Sequence, residues 1–293
     1  MKYIIHLISY FIYSNYFLGG SRILSFLRMI TPGELPNSLI LHKLKCRKKE
    51  VVLFINPSAS YLERELYYSN VYELGTLSFI GRILNKGDVF VDVGANIGYI
   101  SICAAACSLK GSGKIICIEP NIDTFGILQK NMDVMGVDNC QLYNIGVGEC
   151  DKNMELINVK NGRGQSTLVK GIYSKDQVLS KSKVTIKTLD HVLMDVIPTV
   201  VKIDIEGYEL NALKGAGNML SSKENPIIIL EHSAALNNSK DESVIDYLTK
   251  KYNYAPFLFS NTKRFKSKLV AMKVEPEHDN IVFIPQRLVR NFN

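Results

Sequence analysis

The 293 residues carry a formal net charge of +7, with 46% hydrophobic and 22% charged residues, an ordinary globular composition that excludes disordered and collagen-like classes. A chain of this length holds one large α/β domain with an extension, or two small domains. The six cysteines form no C-x-x-C pair, and none stands near a histidine at zinc-finger spacing, so free thiols of a reducing cytoplasm are expected.

The first stretch, YIIHLISYFIYSNYFLGG (3–20), is apolar and aromatic between Lys2 and Arg22. His6, Ser9, Ser14 and Asn15 make it a poor membrane span, and no small-residue cleavage site follows. A helix packed on the domain or at a homo-oligomer contact, an interfacial helix over residues 1–30 and a true anchor stay open. The expected location is the cytoplasm, with peripheral attachment at the inner face of the membrane as the open variant. The positive charge gathers in HKLKCRKKE (42–50), NTKRFKSK (261–268) and the C-terminal QRLVRNFN. Such runs are solvated loops or an anionic partner surface. The first run has no interleaved aromatics and the chain carries no nucleic-acid motif, so nucleic acid is not an expected partner. Residues 1–50 read as an apolar and basic extension and 51–85 as a lead-in, whose YELGTLSFIGRIL is a helix covering one sheet edge. The main domain spans 86–290.

From residue 86, short β-branched runs alternate with helical periods, the pattern of a parallel sheet covered by helices. VFVDV (89–93), KIICIE (114–119), CQLYNIGV (140–147), TVVKIDIEGYE (199–209), PIIILEH (226–232) and NIVFIP (280–285) read as strands. IGYISICAAACSL, NIDTFGILQKNMDVMG, ELNALKGAGNML and DESVIDYLTKKY read as helices between them. MELINV (154–159) and KVTIKTLD (183–190) are further strands, and the polar stretch between them reads as a loop or hairpin gripping a substrate.

The first strand ends in the turn Gly94-Ala95-Asn96-Ile97-Gly98. Glycines there let the backbone turn sharply and approach a ligand. The dinucleotide fingerprint G-x-G-x-x-G needs a middle glycine for a pyrophosphate, and Asn96 stands in its place. Asp92 beside the turn repels phosphate and accepts hydrogen bonds from an ammonium group. S-adenosylmethionine has that group and no phosphate. Glu119, ending the second strand, suits the ribose hydroxyls of either S-adenosylmethionine or NAD.

DVFVDVGANIGYIS, IEPN, VVKIDIEGYELNALKGA and IIILEH, in this order, resemble the FkbM-type methyltransferases over about residues 70–285. These are S-adenosylmethionine-dependent enzymes that mostly methylate hydroxyls. The resemblance implies the Rossmann-like class I methyltransferase fold, a seven-stranded, mostly parallel sheet with the last strand antiparallel and helices on both faces. It places Asp92, Gly94, Asn96 and Gly98 at the cofactor turn and Glu119 on the ribose. Asn144 to Val147, with Gly146, border the adenine. Tyr72-Glu73 resembles a Y-E pair preceding the core, with Leu74 where a proline often follows, which makes Glu73 a substrate-side candidate.

Lys202, Asp204 and Glu206 alternate and so point to one side of their strand. Asp204 is the candidate for contacting the acceptor or the cofactor amine, at the edge where ligands bind in open α/β sheets. Glu206 is either an acceptor-side carboxylate or a helix-start acid. Glu231 and His232 end the next strand at the same edge, with His232 either a proton acceptor or a surface residue. Magnesium held by Asp204, Glu206 and Glu231 is a competing reading. The expected function is O-methylation of a small-molecule or glycan acceptor, a saccharide or glycoconjugate. An NAD-dependent oxidoreductase and a catalytically inactive accessory protein at a membrane are the other classes.

Overall fold

The computed structural model describes residues 35–46, 49–109, 112–160, 162–234, 242–260 and 268–292. The helical reading of residues 1–30, with its membrane and oligomer variants, lies outside them, as does the basic run at 261–267. No helix of the described residues is long and apolar enough to cross a membrane.

An antiparallel pair, β1 (Ile40–Cys46) and β2 (Lys49–Ile55), opens the chain. Helix α1 (Tyr61–Ser69) starts at the N-cap Ser60, whose hydroxyl accepts from the Glu63 amide at 3.1 Å and donates to Glu63 Oε2 at 2.8 Å. Next come α2 (Leu74–Ile83), β3 (Val89–Val93), α3 (Tyr99–Ala104) with a π-helical extension, and β4 (Lys114–Ile118). Then α4 (Ile122–Val134), β5 (Cys140–Tyr143), β6 (Gly146–Val147), β7 (Lys152–Val159) and β8 (Val178–Lys187) follow. The last part holds α5 (Leu189–Leu193), β9 (Val200–Ile203), α6 (Glu209–Lys214), α7 (Gly217–Ser221), β10 (Ile227–Ser233), α8 (Val244–Asp246), β11 (Tyr254–Phe259), β12 (Leu269–Ala271) and β13 (His278–Pro285).

The main sheet has eight strands in the order β12-β11-β13-β10-β9-β3-β4-β5. Strands β10 to β5 run parallel, and β13 is antiparallel to β10. This is the expected Rossmann-like arrangement with β12 added at one edge. Strand β11 is additional to the strands read from the sequence, and Pro256 argues against a strand there. The ladder tolerates it because β12 pairs only with Phe257 to Phe259.

The expected third strand, 140–147, is split. After β5 the chain kinks at Asn144, whose side-chain amide donates to the Glu119 and Pro120 carbonyls at 2.9 and 3.1 Å. Strand β6 then leaves the main sheet and joins β8 and β7 in a separate three-stranded sheet. The expected helix 209–220 also breaks in two at Gly215, where a Cβ would sit 2.0 Å from the Gly148 carbonyl oxygen. That close approach of backbones leaves room only for glycine.

Strand alternation sorts the core into two layers. Phe90, Ile115, Val200, Ile229 and Val282 face one layer, with α1 to α4, β1 and β2 packed on it. Val91, Ile116, Val201, Ile228 and Ile281 face the other, covered by α5 to α8. The first layer runs without a break from Leu44 and Val51 through Phe79 to the sheet.

Candidate active site

The chain leaves β3 for β4 and β5 on one side and later returns to β9 on the other, so a crevice opens where β3 meets β9. Gly94 turns there at φ +82°, and a Cβ on it would lie 1.8 Å from the Asp204 carbonyl oxygen. The Gly94 and Ala95 amides donate to Ile118 O at 2.9 and 3.0 Å. Asn96 takes a left-handed φ of 51° and donates its amide to Glu119 Oε2 at 3.0 Å, while Asn121 N donates to Glu119 Oε1 at 2.9 Å. Gly98, at φ +87°, starts α3 against Leu128.

Two pockets meet at this turn. A narrow one is lined by Ile118, Glu119, Ile145, Gly146, Val147, Leu156 and Leu168. A cavity of about 260 Å³ is lined by Tyr61, Tyr72, Glu73, Asp92, Asn96, Lys202, Asp204, Glu206, Glu231 and His278, among others. Gly94, Gly164, Asp204 and Glu206 border both.

Asp92 is buried and accepts from Ser101 Oγ at 2.5 Å through Oδ2. Its Oδ1, like Asn96 Oδ1, is buried with no hydrogen-bond partner among the described residues. Burial raises the Asp92 carboxyl, and Lys202 partly opposes that. Burial likewise pushes Glu119 up to about 7 despite its two backbone donors. Unpartnered buried acceptors are costly, so these atoms suit a ligand that brings donors.

On β9 the register sets Lys202 beside Asp92. Lys202 is buried, its Nζ 2.7 Å from Asp204 Oδ2 and 3.7 Å from Glu73 Oε1. Burial alone lowers a lysine, but Asp204, Glu73 and Asp92 raise it well above its usual value, so it stays charged. Burial works against the Asp204 carboxylate, yet Lys202 and a hydrogen bond from Glu231 hold it below the usual range. Glu231 is pushed up to about 11 by burial and by Asp204, and keeps its proton. Glu206, at φ 53°, is pushed up to about 8 by burial, then by Asp204 and Glu209. Glu73, at φ 45°, accepts from Asn280 Nδ2 at 2.9 Å, and burial raises it. Left-handed backbone at two glutamates is strain of the kind that gathers at functional sites.

The loop between β7 and β8 roofs the turn. Thr167 Oγ1 donates to Glu206 O at 2.7 Å, and a Cβ on Gly164 would meet Asn96 Nδ2 at 2.2 Å. Arg163 forks onto the fully buried Glu63, with Nε at 3.1 Å from Oε2 and Nη2 on Oε1.

Of the residues expected from the sequence, Asp92, Gly94, Asn96, Asp204, Glu206, Glu73 and Glu231 gather around the larger cavity, and Glu119 and Gly146 around the narrow one. Gly98 shapes the turn, and Asn144 holds backbone outside both linings. His232 is placed elsewhere. It shares strand parity with Ile228 and Leu230, so it faces the opposite layer, where Nε2 lies 3.0 Å from Glu275. Burial lowers it. The histidine at the cavity is His278, whose Nε2 lies 3.7 Å from Glu231. The magnesium reading fits poorly. Asp204, Glu206 and Glu231 bring ligand atoms within 4.8 Å of one another, but Lys202 and the proton on Glu231 already balance the charge there. Lys202, Arg163, Glu63, Tyr61 and His278 had no expected role. Only Lys202 carried a signal, its alternation with Asp204.

Among relatives, the chain is 33% identical over 144 residues to hexuronic acid methyltransferase AglP of Haloferax volcanii, covering 47% of this chain and 53% of that protein. It thus spans about half the length of that relative. It is 24% identical over 192 residues to Methyltransferase 1 of Beauveria bassiana, covering 56% and 71%. Among solved structures, methyltransferase FkbM from Methylobacillus flagellatus is similar at 20% identity and a TM-score of 0.48, covering 75% of this chain and 52% of that one. Residues 92–256 match the family described as Methyltransferase FkbM domain, from Asp92 near the end of β3 through the Lys202–Asp204 strand end, and the chain belongs to that family.

Proposed function

We propose that the protein is an S-adenosylmethionine-dependent O-methyltransferase acting on a hydroxyl of a saccharide or glycoconjugate. The observation that carries this is the pair of unpartnered, buried acceptors, Asp92 Oδ1 and Asn96 Oδ1, in the crevice between β3 and β9. They fit a cofactor with an ammonium group and no phosphate. Asp92 and Asn96 would hold the amine and Glu119 the ribose. The slot of Ile118, Ile145, Val147, Leu156 and Leu168 would hold the base. An NAD pyrophosphate would meet Asp92 and the Asn96 side chain packed under Gly164. The Haloferax relative, named for hexuronic acid, supports a sugar acceptor.

When bound, the cofactor supplies a methyl group on a sulfonium: the acceptor O–C bond forms as the C–S bond breaks, releasing S-adenosylhomocysteine and the hydroxyl proton. Glu206 borders both pockets, and its carboxylate form, whose share grows as pH rises through about 8, accepts that proton and becomes the carboxylic acid. Asp204 stays ionised under Lys202, and the protonated Glu231 donates a hydrogen bond to it and holds it in place. The roof of Gly164 to Leu168 excludes water and fixes the two reactants in line, which supplies on the order of 7 kcal/mol or more.

Titration calorimetry with S-adenosylhomocysteine and with NAD tests the cofactor, and NAD binding without S-adenosylhomocysteine binding overturns the proposal. Asp204→Asn, with binding kept, abolishes transfer of labelled methyl to a glycan extract. Turnover rises with pH through about 8, and Glu206→Gln removes that rise.

A further inference from the structure

The larger cavity is rich in acidic groups. Glu73, Asp92, Asp204, Glu206 and Glu231 line it, and each basic group there among the described residues already faces an acidic side chain. Lys202 lies 2.7 Å from Asp204 and 3.7 Å from Glu73. Arg163 turns its fork away onto buried Glu63. The His278 ring sits 3.7 Å from Glu231. An acceptor that brought a carboxylate or phosphate into this space would displace one of these pairings or leave its own charge unmatched, and buried unmatched charge is strongly disfavoured. A hydroxyl meets the opposite situation, since carboxylate oxygens accept its hydrogen bonds.

The rim adds a flat apolar surface. Tyr61, the first residue of α1, is 57% exposed, and its ring stands edge-on to Tyr72 at 6.4 Å. Tyr72 borders the same cavity. An exposed tyrosine ring offers an apolar face with a polar tip, and beside acceptor-rich carboxylates it complements a pyranose, which has a C–H face and a hydroxyl edge.

We infer that the unit seated in this cavity is an uncharged sugar ring, stacked on Tyr61 and hydrogen-bonded through its hydroxyls to the acidic side chains that line it. A uronate or phosphate elsewhere on the acceptor stays outside. This rests on the methyltransferase reading above and narrows its acceptor.

The test uses the full chain, labelled S-adenosylmethionine and a panel of nitrophenyl hexopyranosides, each beside its uronide and its 6-phosphate. S-adenosylhomocysteine binding is measured separately by calorimetry. Neutral glycosides should take label with kcat/KM at least roughly tenfold above their charged partners. Tyr61→Ala should raise KM for the glycoside at nearly constant kcat and unchanged S-adenosylhomocysteine affinity, and Tyr61→Phe should restore KM. Equal or better use of uronides or phosphates, no label on any glycoside while S-adenosylhomocysteine binds, or an unchanged KM in Tyr61→Ala each overturns the inference. Failure of S-adenosylhomocysteine to bind instead overturns the cofactor assignment beneath it.

Discussion

At the end of β3 the surface offered to a ligand is backbone shape: Gly94, where an added Cβ would lie 1.8 Å from Asp204 O, Asn96 in a left-handed turn, and Glu119 fastened by two amides. One strand away, at the end of β9, it is charge: Lys202 between Asp204 and Glu73, with Glu231 and Glu206 held protonated or nearly so. Steric fit tolerates no added atom. A charge network tolerates changes of shape but depends on every proton in it. The two halves should therefore fail in different ways.

The largest effect is expected at the steric half. Gly94→Ala adds a Cβ against a backbone oxygen at a left-handed φ. It should cost on the order of 4 kcal/mol or more in urea unfolding and abolish S-adenosylhomocysteine binding. A stable Gly94→Ala protein with wild-type affinity would break the contrast.

Next comes Lys202→Met in the charged half, which strands Asp204 and Glu73 without their buried cation and should cost about 3 kcal/mol. Adding Asp204→Asn to it should recover part of that loss, and a double-mutant cycle measures the coupling. Strict additivity would show that the pair does not act as a unit.

Arg163→Ala tests the roof that joins the halves. Losing a charged fork on buried Glu63 should cost about 2 kcal/mol. Faster amide exchange over residues 162–168 and a higher KM for both substrates are the readouts.

The smallest effect is a change of slope. Glu119 is raised from 4.5 to about 7 in the folded protein, so the fold keeps a proton that the unfolded chain has already released. Stability from this group is therefore full below about 4.5 and declines as pH rises toward 7. Glu119→Gln should flatten that part of the profile. S-adenosylhomocysteine affinity should strengthen as pH rises through about 7 in the wild type, because the ionised carboxylate is the better acceptor for ribose hydroxyls.

Much of the steric half was legible in the linear chain, because Asp92, Gly94, Asn96 and Glu119 stand in or just before turns that follow apolar strand runs. Asp204 and Glu231 were legible for the same reason. The charged half was read only in part. The alternation of Lys202 with Asp204 put both on one side of the strand, but the second partner, Glu73, comes from a lead-in helix start that no local pattern ties to β9. Glu63 and Arg163 lie 100 residues apart, Arg163 in a loop of no regular period, so no local pattern joins them. The two histidines show the same limit. His232 ends a strand at the correct edge, yet its parity turns it to the far layer, while His278 on β13 comes around to the cavity.

The sequence by itself determined the central strands of the main sheet, the glycine turn and the acids that end those strands, since these follow from local periodicity and from the backbone freedom of glycine. Only the tertiary structure decided which face each side chain took, which lysine neutralised which carboxylate and which loop closed the roof. Those depend on register between strands distant in sequence and on burial, and burial sets the protonation of each acid.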